Sequence, residues 1–363
     1  MRKIYKLIFI LLFILIGCSS EKELVIDFSN PEIEYWGRTD TTNIESTELY
    51  WSGTSIKINF EGESVRALLK DESGNNYYNI IIDSDSISII KPDTIKRYYQ
   101  LASNLSKGKH SIEIFKRTEW DKGKTDFYGF YINGRHDVKL LPKRITKQRK
   151  IEFYGNSITA GYAVEDTSGR DLADSIYTNN YLSYAAITAR HYDAKYHCIC
   201  KSGIGVTISW DQLNMPEIYD RLVPTDQSSK WDFSLYRPDI VVINLLQNDS
   251  WLVNLPEHKE FKKRFGDKAP NEEYLINAYQ QFTANLRKQY PNANIICTLG
   301  SMDAAKEGSK WIGFIEKAVA NLKDKKIYTH FMPYIEASAH PSIKDQEKIA
   351  QSLIQFIDKN IDW

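Results

Sequence analysis

Cysteine is scarce in this chain, four in 363 residues, and Cys18 stands apart at the end of an amino-terminal apolar run. The remaining three, Cys198, Cys200 and Cys297, are an odd number, which excludes a fully paired disulfide framework. Cys198 and Cys200 lie two apart in "KYHCICKSG", a spacing that puts both thiols on one face of a strand, and no second ligand pair lies nearby at zinc spacing. They read as buried free thiols, with a disulfide to Cys297 as the alternative, and no metal is implied. A charge of one sign is also missing: 47 Lys plus Arg balance 47 Asp plus Glu. That balance leaves no basic field for nucleic acid and no polybasic patch for anionic lipid. No apolar run reaches the roughly 20 residues that a spanning helix needs.

The longest such run, Leu7 to Ile16, follows Arg2, Lys3 and Lys6 and precedes Gly17 and Cys18. A short apolar core behind a basic start reads as a secretory signal covering residues 1–17. The stretch "LIGC" resembles a bacterial lipobox. This resemblance implies a leader cut before Cys18, lipidation of that thiol and a membrane tether on the folded part, in the periplasm or at the cell surface. An uncleaved amino-terminal anchor is the alternative, and both place the protein outside the cytoplasm.

The rest, about 345 residues, is long enough for two domains. From 24 to 140 the pattern alternates with period two. In "TSIKINFEG", Ile56, Ile58 and Phe60 face one way and Lys57 and Asn59 the other; "KHSIEIFKR" and "NYYNIIIDSDSISII" read as two further runs of the same kind. Turn signals such as "ESGNN", "SKGK", "DKGK" and "NGR" separate them, and many short strands without a helix predict a β-sandwich. The basic, aperiodic segment 141–150 reads as a linker.

Over 151–363 the period changes. "KIEFYG", "DIVVINLL" and "NANIICTLG" are short apolar runs of buried parallel strands. Between and after them lie helical patterns, with Leu275, Ala278, Phe282 and Leu286 on one face and Ile343, Ile349, Leu353 and Phe356 forming the stripe of the last helix. Alternating strands and helices predict an α/β/α domain around a parallel sheet, with ligands beyond the carboxyl ends of its strands. Ser157 sits there, in "IEFYGNSITAGY", just past the first strand in a turn of small residues. A serine becomes a nucleophile only with a base and an oxyanion hole.

The missing pieces lie further along the chain, in the order of the SGNH (GDSL-like) hydrolase superfamily. "GNSIT" resembles its nucleophile block, with Asn156 where aspartate is usual; "KSGIGV" resembles the block whose glycine amide lines the oxyanion hole, giving Gly203, with Gly205 as runner-up. "NLLQND" resembles the third block, giving Asn248, with Leu246 where glycine is usual, and "AHPS" before the last helix resembles the block of the general base, giving His340. In the first half, "YWGR", "WSGTSIKINFEG", "GKHSIEIFKRTE" and "FYGFYINGR" resemble the amino-terminal jelly roll of carbohydrate esterase family 2, acetyl esterases of plant polysaccharides.

The resemblance implies a serine esterase that removes O-acetyl groups from xylan or a similar polysaccharide through an acetyl-enzyme, without a cofactor. Ser157 attacks, His340 shuttles the proton, and the amides of Ser157 and Gly203 with the Asn248 side chain hold the oxyanion, each donor being worth about 3 to 4 kcal/mol. The superfamily's aspartate three residues before the histidine is absent, its place taken by Ala337, and Glu336 is one residue off. The expectation is therefore a Ser157–His340 dyad, its imidazole held by a backbone carbonyl or a nearby side chain and lacking a carboxylate. Trp210 and Trp251 follow the glycine and asparagine blocks and read either as sugar platforms or as core. The alternatives are an esterase of another acyl group and a silent polysaccharide-binding lipoprotein.

Overall fold

The structure, a computed structural model, describes residues 21–143 and 149–363; the leader, Cys18 and the middle of the linker lie outside the described residues. Two antiparallel six-stranded sheets form the first half. The long strand Thr125–Gly134 is central to one sheet, where it pairs with Ser64–Asp71 on one side and with Lys22–Asp27 and Thr47–Leu49 on the other. In the second, Lys109–Lys116 lies between Ser55–Glu61 and Tyr78–Ile82. The alternation explains the core: Ile56, Ile58, Phe60, Ile112 and Ile114 point inward and meet Phe127 and Phe130 from the facing sheet.

One expected run is two strands. "NYYNIIIDSDSISII" breaks into Tyr78–Ile82 and Ser86–Ile90, a hairpin whose turn holds Asp83 and Ser84 at φ 52° and 63°. Consecutive left-handed residues match the twist of the flanking strands, and aspartate tolerates that region better than most side chains, so the turn was legible from neither glycine nor proline.

The last sandwich strand is Lys139–Leu141, and the second half begins with Lys150–Gly155. Its five strands are all parallel, in the order Lys195–Cys200, Lys150–Gly155, Ile240–Asn244, Asn294–Thr298, Ile327–Thr329. Helices cover both faces, which is why the strands read as continuous apolar runs. Helix Glu272–Gln289 buries Leu275, Phe282 and Leu286 as expected, but Ala278 is only half-buried. Helix Ile343–Asn360 buries Ile349, Leu353 and Ile357, while Ile343 is exposed and Phe356 half-buried. Gln346 takes the inward place one turn before Ala350, because it bonds to the backbone of Ile158 and Tyr184. Cys198, Cys200 and Cys297 are buried and unlinked, with the first two sulfurs 3.3 Å apart on one strand face.

The two halves share a polar lock. Arg38 of the sandwich, 1% exposed, pairs with Glu152 at 3.2 Å, donates to the Tyr154 hydroxyl and to the carbonyls of Tyr219 and Arg221, and lies against the Trp231 and Phe233 rings. Burial opposes the Glu152 charge most strongly of any single effect, but the Arg38 guanidinium, His197 and Tyr290 together outweigh it and hold the carboxyl below its ordinary value. Removing one partner of a desolvated pair leaves the other charge buried and uncompensated, so the pair and the carbonyls bonded to Arg38 tie the sheet of the second half to the sandwich in one register.

Candidate active site

The three residues drawn from separate sequence blocks converge because their strands are neighbours. Gly155 ends the first strand of this half, which lies between two neighbours and is in register with Cys200 on one side and Asn244 on the other. Ser157, Gly203 and Asn248 each follow within a few residues, so all three lie beyond the carboxyl edge of the sheet. A side chain at Gly155 would put its Cβ 1.9 Å from Thr159 Oγ1, so only glycine lets the chain turn at once from strand into the short helix Ser157–Ala160. Asn156 caps that helix by accepting from the Ile158 N–H. The Ser157 N–H, first in the helix, has no intrahelical acceptor.

His340 arrives from the opposite end of the chain, just before the last helix. Its Nε2 is 2.8 Å from Ser157 Oγ, and its Nδ1 is 2.8 Å from Asp171 Oδ2. A carboxylate only accepts, so the ring carries its proton on Nδ1 and leaves Nε2 free to take the serine proton. The second oxygen of Asp171 accepts the His340 backbone N–H at 2.9 Å. The Tyr162 ring packs edge-on against the imidazole at 5.0 Å.

Asp171 corrects the expected dyad. The imidazole does have a carboxylate partner, supplied by a loop far upstream in sequence. Burial opposes the charge of Asp171, but the ring and backbone N–H of His340 favour it more strongly, and the carboxyl lies below its ordinary value. The loop is folded by Asp166, which accepts from the Ser168 and Leu172 N–H groups and is itself lowered to about 2 by such bonds. Asp171 stands in the left-handed region at φ 55°. The only signal in the sequence was a polar, acidic stretch, "VEDTSGRDLAD", a composition common to many loops. Glu336 and Ala337 are exposed.

The loop after strand Lys195–Cys200 separates the two candidate glycines. Gly205 gives its N–H to Ser209 Oγ at 2.9 Å and is thereby occupied, whereas Gly203, at φ 81°, has no acceptor for its N–H among the described residues. Asn248 Nδ2 donates to the Ile204 carbonyl at 2.8 Å, which leaves its second N–H for a ligand. The Trp210 indole N–H donates to Asn248 Oδ1 at 3.2 Å and so settles which way the amide faces, while 40% of Trp210 remains exposed. Asp249, wholly buried, accepts from the Val206, Thr207 and Ile208 N–H groups and anchors the same loop. Trp251 points elsewhere: its indole bonds to Asp303 at 2.8 Å, beside Lys306 and Trp311.

Leu246, where the superfamily pattern has glycine, is held at φ 82° immediately before the helix Gln247–Leu252 that carries Asn248. A left-handed leucine costs about 1–3 kcal/mol; its side chain is fully buried in the core, which offsets that strain. Among the described residues no group of three or more His, Cys, Asp or Glu is placed to hold a metal, and the serine, imidazole and carboxylate form a complete proton relay with amide donors beside it.

Residues 35–143 match the family described as Carbohydrate esterase 2 N-terminal. The cellulase/esterase CelE of Acetivibrio thermocellus is 32% identical over 93% of this chain, which spans 40% of that protein's length. An acetylxylan esterase / glucomannan deacetylase of Cellvibrio japonicus is 26% identical over 97% of this chain and 96% of its own. Among solved structures, a family two carbohydrate esterase from Clostridium thermocellum, in complex with cellohexaose, is 30% identical with a TM-score of 0.79, covering 90% of this chain and 98% of that one. With the sandwich, the parallel sheet and nearly the whole described length shared, this chain belongs to carbohydrate esterase family 2.

Proposed function

We propose that this protein removes O-acetyl groups from a plant-type polysaccharide, xylan or a similar glycan, through an acetyl-enzyme on Ser157. The observation that carries this reading is the continuous hydrogen-bonded array from Asp171 through His340 to Ser157 at the carboxyl edge of the sheet, with three amide donors, the Ser157 and Gly203 N–H groups and the second Asn248 N–H, beside it. His340 takes the Ser157 proton as Oγ attacks the ester carbonyl, and Asp171 stabilises the imidazolium that results. The oxyanion is received by the N–H groups of Ser157 and Gly203 and by the free N–H of Asn248. The imidazolium then protonates the sugar oxygen as its bond to the acyl carbon breaks, so the sugar leaves as an alcohol. In the second half water gives a proton to His340 and attacks the acetyl carbon; the bond from that carbon to Ser157 Oγ then breaks, the imidazolium returns the proton to Oγ, and acetate leaves.

The exposed face of Trp210, beside these donors, is the side chain best placed to lie under a sugar ring. The Clostridium thermocellum relative was solved with cellohexaose, which favours a β-linked glycan as the chain that carries the acetyl group. Acetate release from acetylated xylan, glucomannan and pectin, run beside 4-nitrophenyl acetate and butyrate, tests the reading. Release from at least one glycan with acetate preferred over butyrate is expected; cleavage of the longer ester alone would assign another acyl group, and no cleavage at all would leave a binding protein.

Residues 1–18 support a second part of the proposal, that the enzyme is tethered by lipid at Cys18 outside the cytoplasm. No helix among the described residues is long and apolar enough to cross a membrane. Cys18→Ser is expected to move the protein from the membrane fraction to the soluble one. Retention of the variant in the membrane would refute the lipid anchor.

A further inference from the structure

The peptide unit joining Ser202 to Gly203 is held at its carbonyl by Lys201, while Ser202 itself is anchored by Glu119 through its hydroxyl and the N–H of the preceding peptide, and neither side chain has a part in the proton relay. Lys201 to Ile204 form a turn closed by the Ile204 N–H on the Lys201 carbonyl at 3.2 Å, with Gly203 at φ 81° in its third position. Turns of this shape have one soft degree of freedom. Their central peptide can rotate as a plane, with small changes in the chain on either side, and rotation exchanges the directions of its C=O and N–H. Here that central peptide carries the Gly203 N–H.

Lys201 Nζ donates to the Ser202 carbonyl at 3.1 Å and is held over it by Asp211 at 2.5 Å. In a trans peptide the N–H points opposite to the C=O. A cation that fixes the Ser202 oxygen therefore fixes the Gly203 N–H on the other side, and it polarises the amide so that this N–H is a stronger donor. The second grip comes from the sandwich. Glu119, 3% exposed, accepts the Ser202 N–H with one oxygen and the Ser202 hydroxyl at 2.6 Å with the other. The Trp120 ring next to it lies 5.6 Å from Lys201 Nζ, which closes the cluster.

We propose that Lys201 and Glu119 are positioning residues that lock the Ser202–Gly203 peptide in the orientation presenting the Gly203 N–H to the oxyanion, so that the sandwich domain contributes directly to transition-state stabilisation. The proposal rests on the esterase reading of the site. It explains why a buried carboxylate of the first domain is spent on the backbone of a loop in the second. Neither residue touches the substrate, so ground-state binding is unaffected while the transition state loses a well-aimed donor.

The test is the steady-state kinetics of Lys201→Met, Lys201→Arg and Glu119→Ala on 4-nitrophenyl acetate, with the inhibition constant of a small boronic acid, which forms a tetrahedral adduct with an active serine. Lys201→Met keeps the packed stem and removes only the charge. In it and in Glu119→Ala, kcat is expected to fall about 10-fold to 100-fold, against 10²-fold to 10³-fold for outright loss of an oxyanion donor. KM should stay within about twofold, boronate affinity should fall in step with kcat, and Lys201→Arg should recover most of the loss. Unchanged kcat in a folded Lys201→Met overturns the proposal and leaves the esterase reading intact, as does a fall in kcat with boronate affinity unaltered. If Glu119→Ala fails to fold, the Lys201 pair decides the question alone. A wild-type protein inactive on every ester overturns both readings.

Discussion

Ser157→Ala is expected to lower kcat/KM on an aryl acetate by about 10⁶-fold, the scale on which loss of the nucleophile acts when nucleophile and base work as a unit. The fold should not register the change. Ser157 is the first residue of a short helix whose cap is Asn156, and its hydroxyl bonds only to His340. The variant removes one oxygen from a 6% exposed site and leaves the turn itself, made by Gly155, intact. The melting temperature should move by no more than a few degrees, since one lost bond contributes about 1 kcal/mol. Rapid mixing gives the second reading: a burst of nitrophenolate in the wild type reports the acetyl-enzyme, and the variant should show none. Turnover like that of the wild type would remove Ser157 from the chemistry.

The next largest effect is expected at Asp171. Asp171→Asn retains a group of the same shape but offers the ring an amide in place of a carboxylate. The proton on Nδ1 then loses its anionic partner, and the tautomer with Nε2 free to accept is no longer favoured, which costs up to about 10⁴-fold in kcat. Asp171→Ala also drops the His340 backbone N–H, so a loss of about 10²-fold to 10⁴-fold is expected there, with some loosening of the turn before the last helix. Glu336→Ala is the control and should be as active as the wild type, because Glu336 is exposed. Equal losses at Glu336 and Asp171 would mean that the two loops exchange places in solution.

The pH dependence follows from the same geometry. The Asp171 carboxyl is lowered by its bonds to His340, so its contribution is fully present above the ordinary carboxylate value of about 3.9 and is lost only as pH falls through the lower folded value. A fall in activity well above pH 4 in the wild type therefore reports a group other than Asp171. The pH profile of kcat/KM checks this: an acidic limb centred at or below the ordinary carboxylate value would assign it to Asp171 and overturn that reading.

Much of this site is carried by local sequence. Gly155 and Ser157 sit at the end of an apolar strand, Asn248 follows another and His340 precedes a capped helix, and each of these places is set by short-range chemistry: strand propensity, a steric need for glycine, a cap. The same holds for the alternation that builds the sandwich, while the odd cysteine count left at least one thiol unpaired and the structure leaves all three unlinked. Where local rules gave no signal, expectation and structure part. Asp83 and Ser84 turn a hairpin without glycine, and Gln346 enters a helix stripe because two distant backbone groups need partners. Leu246 occupies a glycine conformation that only core burial sustains.

Sequence by itself determined the alternating first half, the apolar strands before Ser157 and Asn248, and, through the resemblance of four short blocks, which side chains were available as nucleophile, base and oxyanion donor. Tertiary structure alone decided what orients them. Asp171 reaches His340 across 169 residues, Glu119 reaches Ser202 across 83 and Trp210 reaches Asn248 across 38. Each acts through a polar atom of a side chain in a turn or loop, and its partner is set by how strands and loops from distant parts of the chain pack. A hydrogen bond needs its two atoms about 3 Å apart and imposes no pattern on the residues between them, so orientation of a catalytic group leaves no mark that spacing can reveal.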